Sequence, residues 1–339
     1  MSKKARPKMA ICYDFDGTLA AGNMQEYDYL PQLGIKPIDF WKEAKARATE
    51  AEGDEILAYM CLMLEKAKAD PAKGIQVTKK AFADYAAKVT LFEGVEDWFE
   101  RISQFALDKG VVVEHFIISS GIREMILGTS IAKHFTKVYA SSYMYDQHGV
   151  AIWPALALNY TGKTQFLFRV NKGVLQVWDN DAINAFCAKD KRPVPFERMV
   201  YIGDGTTDVP CMRLVKDQGG HSIAVYQPKK KNVQKTAYQL LDEGRVDFVA
   251  PADYRAGKSL ERQLQAVIGR IAADAQVHDL AAKARKAAEK MCGCEAGPTT
   301  ADAPTPENII PMEVTRTHAV ADSAEQGRER PAEPPVEKG

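Results

Sequence analysis

Five short apolar runs, rich in β-branched residues and separated by helical stretches, constrain this chain more than any other feature. They are Met9–Tyr13, Val111–Ile118, Met199–Ile202, Ile223–Tyr226 and the brief Phe248–Val249. Near-continuous apolar strands alternating with helices predict an α/β fold, a doubly wound parallel sheet buried on both faces. Such sheets hold their ligands beyond the carboxyl ends of the strands. Chemistry is therefore expected just after each run.

Between the first two runs lie about ninety residues with little strand character. Asp39–Glu50, Asp54–Ala69, Thr78–Lys88 and Val95–Leu107 read as amphipathic helices punctuated by Pro37, Gly53, Pro71 and Gly94. The expected organisation is an α/β core over 1–20 and 108–257, with an inserted α-helical cap domain over 21–107. Leu260, Leu264, Val267, Ile268 and Ile271 then recur at helical spacing, predicting a C-terminal helix over 258–291. Residues 292–339 hold 7 of the 17 prolines and nine acids against four Lys/Arg. Too few apolar residues remain there to bury a face, so a disordered tail is expected.

Lys+Arg and Asp+Glu both number 45, which argues against a nucleic-acid partner gripped through a broad cationic field. No stretch approaches the roughly 20 apolar residues that cross a bilayer. The run after the basic segment Met1–Lys8 is too short for the core of a signal peptide. A cytoplasmic protein without a membrane partner is expected. Cys12, Cys61, Cys187 and Cys211 sit singly in apolar or helical contexts, and Cys292-Gly293-Cys294 has no His or Cys neighbours with which to build a zinc site.

The strand-end rule finds its chemistry. The first run ends in Asp14-Phe15-Asp16-Gly17-Thr18 and the third in Gly203-Asp204-Gly205-Thr206-Thr207-Asp208. Carboxylates at such positions are costly unless a cation lies among them. Four of them form a hard-oxygen site suited to Mg²⁺, which takes a few carboxylates and fills its remaining positions with water and substrate phosphate. The second run ends in Ile118-Ser119-Ser120-Gly121, where a hydroxyl beside a helix start can donate to an anion or simply cap the helix. Lys163 opens a later helical stretch and can neutralise a phosphate oxygen; Lys172, nine residues on, competes for that role.

An Asp-x-Asp-Gly-Thr strand end, a serine, a lysine and a Gly-Asp-x-x-x-Asp, in that order, resemble the haloacid dehalogenase (HAD) superfamily of phosphohydrolases. The resemblance spans about Met9 to Val249 and is nearest to the phosphoserine-phosphatase-like branch, whose helical cap (C1-type) lies between the first two motifs. Here Asp14 and Ser119 are 105 positions apart. The resemblance implies a HAD-like, Rossmann-type core and Mg²⁺-dependent hydrolysis of a small phosphorylated metabolite. Asp14 would be the nucleophile forming an aspartyl-phosphate, and Asp16 the general acid and then base. Asp14, the backbone carbonyl of Asp16, Asp204 and Asp208 would hold the metal, and Ser119 and Lys163 the phosphoryl oxygens. A dehalogenase of the superfamily needs no proton donor at the position of Asp16, so that residue favours phosphate chemistry.

The sequence departs from the branch in three places. Thr207 stands where an Asn usually precedes the last aspartate. The stretch Gly53–Met60 lacks the arginine-bearing cap motif that grips the serine carboxylate, which argues against phosphoserine as substrate. Lys163 and Asp204 are 41 positions apart, and the extra length at 171–196 reads as a longer connection. Arg123 either reaches the substrate or pairs with Glu124. Tyr27, Tyr29, Phe40, Trp41 and Tyr59 either line a lid pocket or pack within the cap, and helical spacing favours packing. A phosphotransferase using the same intermediate, and a non-catalytic binding protein on the same fold, are the rival functions.

Overall fold

The computed structural model describes residues 6–228 and 231–292. The chain divides into two units, 1–283 and 284–339. The fold lies in the first; the second is described only over 284–292, the end of a long helix. The expected tail and half of the Cys292/Cys294 pair lie outside the described residues.

Among the described residues one seven-stranded sheet forms, in the order β4-β3-β2-β1-β5-β6-β7. Its strands are β1 (Lys8–Tyr13), β2 (Val112–Ile122), β3 (Phe135–Tyr145), β4 (Ala151–Leu156), β5 (Met199–Gly203), β6 (His221–Tyr226) and β7 (Phe248–Pro251). All neighbours run parallel except β3 and β4, an antiparallel hairpin at one edge. The sheet is doubly wound because alternate residues serve opposite layers. Met9, Ile11 and Tyr13 of β1 join one apolar cluster, and Ala10 and Cys12 join the other.

The segment between β1 and β2 carries α1 (Tyr29–Leu33), α2 (Pro37–Glu50), α3 (Glu55–Ala69), α4 (Lys79–Tyr85) and α5 (Val95–Asp108). Helices α2 to α5 match the four expected ones within a few residues, and α1 is one that the sequence reading did not anticipate. Three of the five have a local cause at their start. Pro37 opens α2. Asp54 caps α3 by accepting from the N–H groups of Ile56 and Leu57 at 2.8 and 2.9 Å. Thr78 caps α4 through Ala81 N–H.

The last of the five is placed differently from the others. Trp98 and Phe99 of α5 pack against Tyr13 and His115 on the sheet, so α5 is a layer helix covering β1 and β2. Leu260, Leu264, Val267, Ile268 and Ile271 of the C-terminal helix bury in the same cluster. The opposite face is covered by three helices described next to the site.

The hairpin β3–β4 is a strand pair that apolar runs do not announce. Ser141 and Ser142 are buried in β3, and register shifts interrupt the pairing, so the sequence shows neither a continuous apolar run nor clean alternation. The stretch 171–196 is a connection folded on its own backbone: the Arg169 guanidinium donates to the carbonyls of Gln176, Val177 and Asp179. None of its residues lines the cavity described below.

Candidate active site

The strand ends are level. Tyr13 pairs with Ile117 on one side and Ile202 on the other. Strands about 4.8 Å apart then bring the residues that follow them to one rim. Asp14, whose N–H donates to the Ile202 carbonyl at 2.9 Å, follows β1 directly. Ser119 lies near the end of β2, and Asp204 follows β5. Three helices follow in the chain from this rim. The first is α6 (Arg123–Leu127) after β2, whose Met125 and Ile126 bury in the first apolar cluster. On the opposite face lie α7 (Thr164–Lys172), led in by a 3₁₀ turn ending at Lys163, and, after α8 (Asn180–Asn184) in the connection, α9 (Val209–Asp217). Asp208 is the residue at the head of α9. Together with α10 (Lys231–Asp242), α7 and α9 supply the buried residues of the second apolar cluster.

The carboxylates of Asp14, Asp204 and Asp208 each place an oxygen within 4.8 Å of the other two. Lys163, 1% exposed, donates to Asp14 Oδ1 at 3.0 Å and to Asp208 Oδ1 at 2.7 Å. Tyr201 adds a bond from its hydroxyl to the same Asp208 oxygen at 2.8 Å. Two glycines permit this crowding. A side chain at Gly17, where φ is +77°, would run into the Asp204 carboxylate, and one at Gly203 would meet that of Asp208.

Asp16 is turned away from this triad. Its Oδ1 accepts the Met24 N–H at 2.9 Å, and its Oδ2 lies beside Gly121. Ser119 accepts the Gly121 N–H at 3.1 Å and lines the same cavity. Lys172 is elsewhere, donating to the carbonyls of Ile183 and Ala185. Arg123 pairs with Glu124 at 2.9 Å and does not line the cavity.

Burial and mutual repulsion decide the protonation states. Burial, then the charge of Asp208, raises Asp14 to about 6 against the opposing pull of Lys163. Burial, then Asp14, holds Asp16 well above the usual carboxylate range, and the Met24 N–H offsets this only in part. Asp204 is raised by burial, Asp14 and Asp208. Lys163 is raised because the two carboxylates outweigh the desolvation of its ammonium. One lysine leaves an excess of negative charge, and the second oxygen of Asp208 is buried with no hydrogen-bond partner. An all-oxygen donor set with surplus charge and an unused buried acceptor fits a hard divalent cation.

The cavity at this rim encloses about 500 Å³. The segment after β1 supplies its opposite wall, through Gln25, Glu26, Trp41, Glu55 and Tyr59. Sequence reasoning left Trp41 and Tyr59 among the packing residues, and Phe40 and Tyr29 are indeed fully buried. Gln25, Glu26 and Glu55 carry no spacing signal that would single them out. Helix α3 is stitched to the core beneath: Tyr59 donates to the Ser120 carbonyl at 2.6 Å, the Tyr143 hydroxyl donates to the Met60 carbonyl at 2.8 Å, and Asn159 donates to Asp54.

Fold and site together define an α/β protein with an acidic centre at the carboxyl ends of its strands, where such sheets hold ligands. The family model for haloacid dehalogenase-like hydrolases matches residues 11–213, and the chain belongs to that family. An uncharacterised protein of Borreliella burgdorferi is 28% identical over 276 residues, covering 74% of this chain and 93% of that protein. Among solved structures, a probable phosphoserine phosphatase of Vibrio cholerae is 13% identical, covering 80% of this chain and 67% of that one at a TM-score of 0.49. A substrate-bound phosphoserine phosphatase is 14% identical, covering 77% and 98% at 0.46. No helix among the described residues is long and apolar enough to cross a membrane.

Proposed function

We propose that this hydrolase is a phosphatase that removes phosphate from a small phosphomonoester through an aspartyl-phosphate on Asp14. The carrying observation is the meeting of Asp14, Asp204, Asp208 and Lys163 at one point, with Asp16 facing the same cavity from the other side. Asp14, Asp204, Asp208 and the Asp16 carbonyl would hold Mg²⁺, which supplies neutralisation of the charge shared by carboxylates and phosphate.

In the first step an Asp14 oxygen bonds to phosphorus as the ester P–O bond breaks. The alkoxide takes the proton of Asp16, whose affinity for it is raised by burial and by the charge of Asp14. In the second step a water oxygen attacks the phosphorus of the aspartyl-phosphate. Its proton passes to Asp16, inorganic phosphate leaves, and the Asp14 carboxylate is regenerated. Ser119 and Lys163 would hold the phosphoryl oxygens as charge redistributes. Lys163 also locks Asp14 and Asp208 in place before substrate arrives.

We assign the role of lid to the insertion as far as Gly94, with α5 counted in the core because it covers the sheet. Bonds from α3 to β2, β3 and the Lys163 lead-in support this, since they hold the wall over the rim and exclude bulk water.

Asp14→Asn should lower kcat for a phosphate ester in Mg²⁺ by about 10³-fold or more, with an unchanged circular-dichroism spectrum. A purified variant that keeps near-normal turnover removes Asp14 from the role of nucleophile.

A further inference from the structure

If the cavity takes a phosphomonoester, as proposed above, its far wall bears on what that ester carries. Among the described residues no Arg, Lys or His of the insertion reaches the cavity. Among the described residues the one ammonium lining it, Lys163, is already shared by Asp14 and Asp208. The wall instead presents two carboxylates, Glu26 and Glu55, beside two aromatic rings. Glu26 is held in place: its Oε1 accepts from Asn23 Nδ2 and from Trp41 Nε1, both at 2.6 Å. Trp41 meets Tyr59 edge-on at 5.5 Å and 74°, and the Tyr59 hydroxyl is tied to the Ser120 carbonyl. Both rings are therefore fixed through their polar ends.

A second, independent feature lies on the same wall. Gln25 is 2% exposed, lines the cavity, and its Oε1 has no hydrogen-bond partner. A buried acceptor left unpaired is unfavourable. A ligand that brings a donor to this wall relieves it.

We propose that Gln25, Glu26, Trp41, Glu55 and Tyr59 form a subsite for a cationic leaving group, so that the preferred substrates are phosphomonoesters of small amino alcohols. The carboxylates of Glu26, held in place, and Glu55 attract an ammonium, and aromatic faces hold one whether or not it carries N–H groups. An ester bearing a carboxylate would set it against Glu26 and Glu55, with no cation among the described residues of that wall to receive it.

The test is a panel of esters of similar size given to the full chain in Mg²⁺: phosphoethanolamine, phosphocholine, neutral ethyl phosphate, anionic phosphoglycolate, and p-nitrophenyl phosphate. The expected kcat/KM is at least ten-fold higher for a cationic ester than for ethyl phosphate, and lowest for phosphoglycolate. In Glu26→Gln and Glu55→Gln the ratio of cationic to neutral ester should fall toward unity. Because the ratio is taken within one protein, a general loss of activity does not obscure it, and the wild-type panel decides even where a variant fails to fold. Equal or better turnover of ethyl phosphate or phosphoglycolate by the wild type overturns the subsite while leaving the phosphatase intact. A ratio that survives both substitutions also overturns it. No turnover of any ester, p-nitrophenyl phosphate included, overturns the phosphatase reading itself.

Discussion

At the scale of single residues, the site and the core treat buried polar groups in opposite ways. The rim gathers like charges and leaves the Asp208 carboxylate with an unpaired oxygen, whereas the polar groups buried between α5 and the sheet are joined in a chain of bonds. The indole N–H of Trp98 can only donate, and it donates to the Tyr13 hydroxyl at 3.0 Å. That leaves the Tyr13 proton for His115 Nδ1 at 3.1 Å, and His115 Nε2–H for Ser103 at 3.0 Å. The chain of bonds requires a neutral imidazole. Burial, followed by the nearby His134, accordingly lowers His115 from its ordinary 6.5 to about 3. The unfolded chain binds this proton from 6.5 downward and the folded chain does not. The stability this residue confers is thus present above pH 6.5 and lost as pH falls toward 3. Between pH 7 and 5 the loss should be about 2 kcal/mol. Denaturant melts of the wild type and of His115→Gln at both pH values isolate it, because the rim carboxylates contribute equally to both proteins. Equal losses in the two proteins would dismiss the assignment.

At the scale of elements, α3 links the two halves of the site, and the residue that caps it takes part in the link. Asp54 caps the helix through one oxygen and accepts from Asn159 through the other, four residues before Lys163. Asp54→Ala should therefore destabilise the protein by about 1–2 kcal/mol, the cost of a lost cap. Asp54→Asn, which keeps a capping oxygen, should cost less. Thermal unfolding ranks them, and an alanine variant as stable as the wild type would mean that the cap is redundant. The elements also show how far sequence reading reaches. The strands carrying the motifs are apolar on both faces and stand out at once. The hairpin β3–β4 is hidden because buried Ser141 and Ser142 satisfy themselves within the fold: Ser141 accepts the Leu158 N–H at 3.1 Å. Helix α5 reads as amphipathic wherever it packs, so periodicity finds the helix and is silent on whether its partner is the lid or the sheet.

At the scale of the whole molecule, the carboxylates come from parts of the chain some 190 residues apart, and a cation bound among them binds the folded state alone. Mg²⁺ at about 100 times its dissociation constant should raise the unfolding free energy by about 2.7 kcal/mol. Differential melting in Mg²⁺ and in EDTA measures this without reference to activity, and Asp204→Asn should shrink the difference. Identical melting curves would rule out the metal centre. The motif positions Asp14, Asp16, Ser119, Asp204 and Asp208 were legible because a parallel sheet must deliver its strand ends to one rim, and each follows an apolar run. The choice of Lys163 over Lys172 was not legible, since both lie on one short helical stretch and only the turn before α7 points one of them inward.

What the linear chain determined by itself is local: which runs are strands, where helices start, and which acids lie at the strand ends. These follow from periodicity and covalent neighbourhood. The far wall of the cavity was decided only by tertiary structure. Glu26, Trp41 and Tyr59 belong to three separate stretches with no shared spacing, and they meet because α2 and α3 pack over the rim. Packing between elements depends on side chains distant in sequence, and no local pattern encodes it.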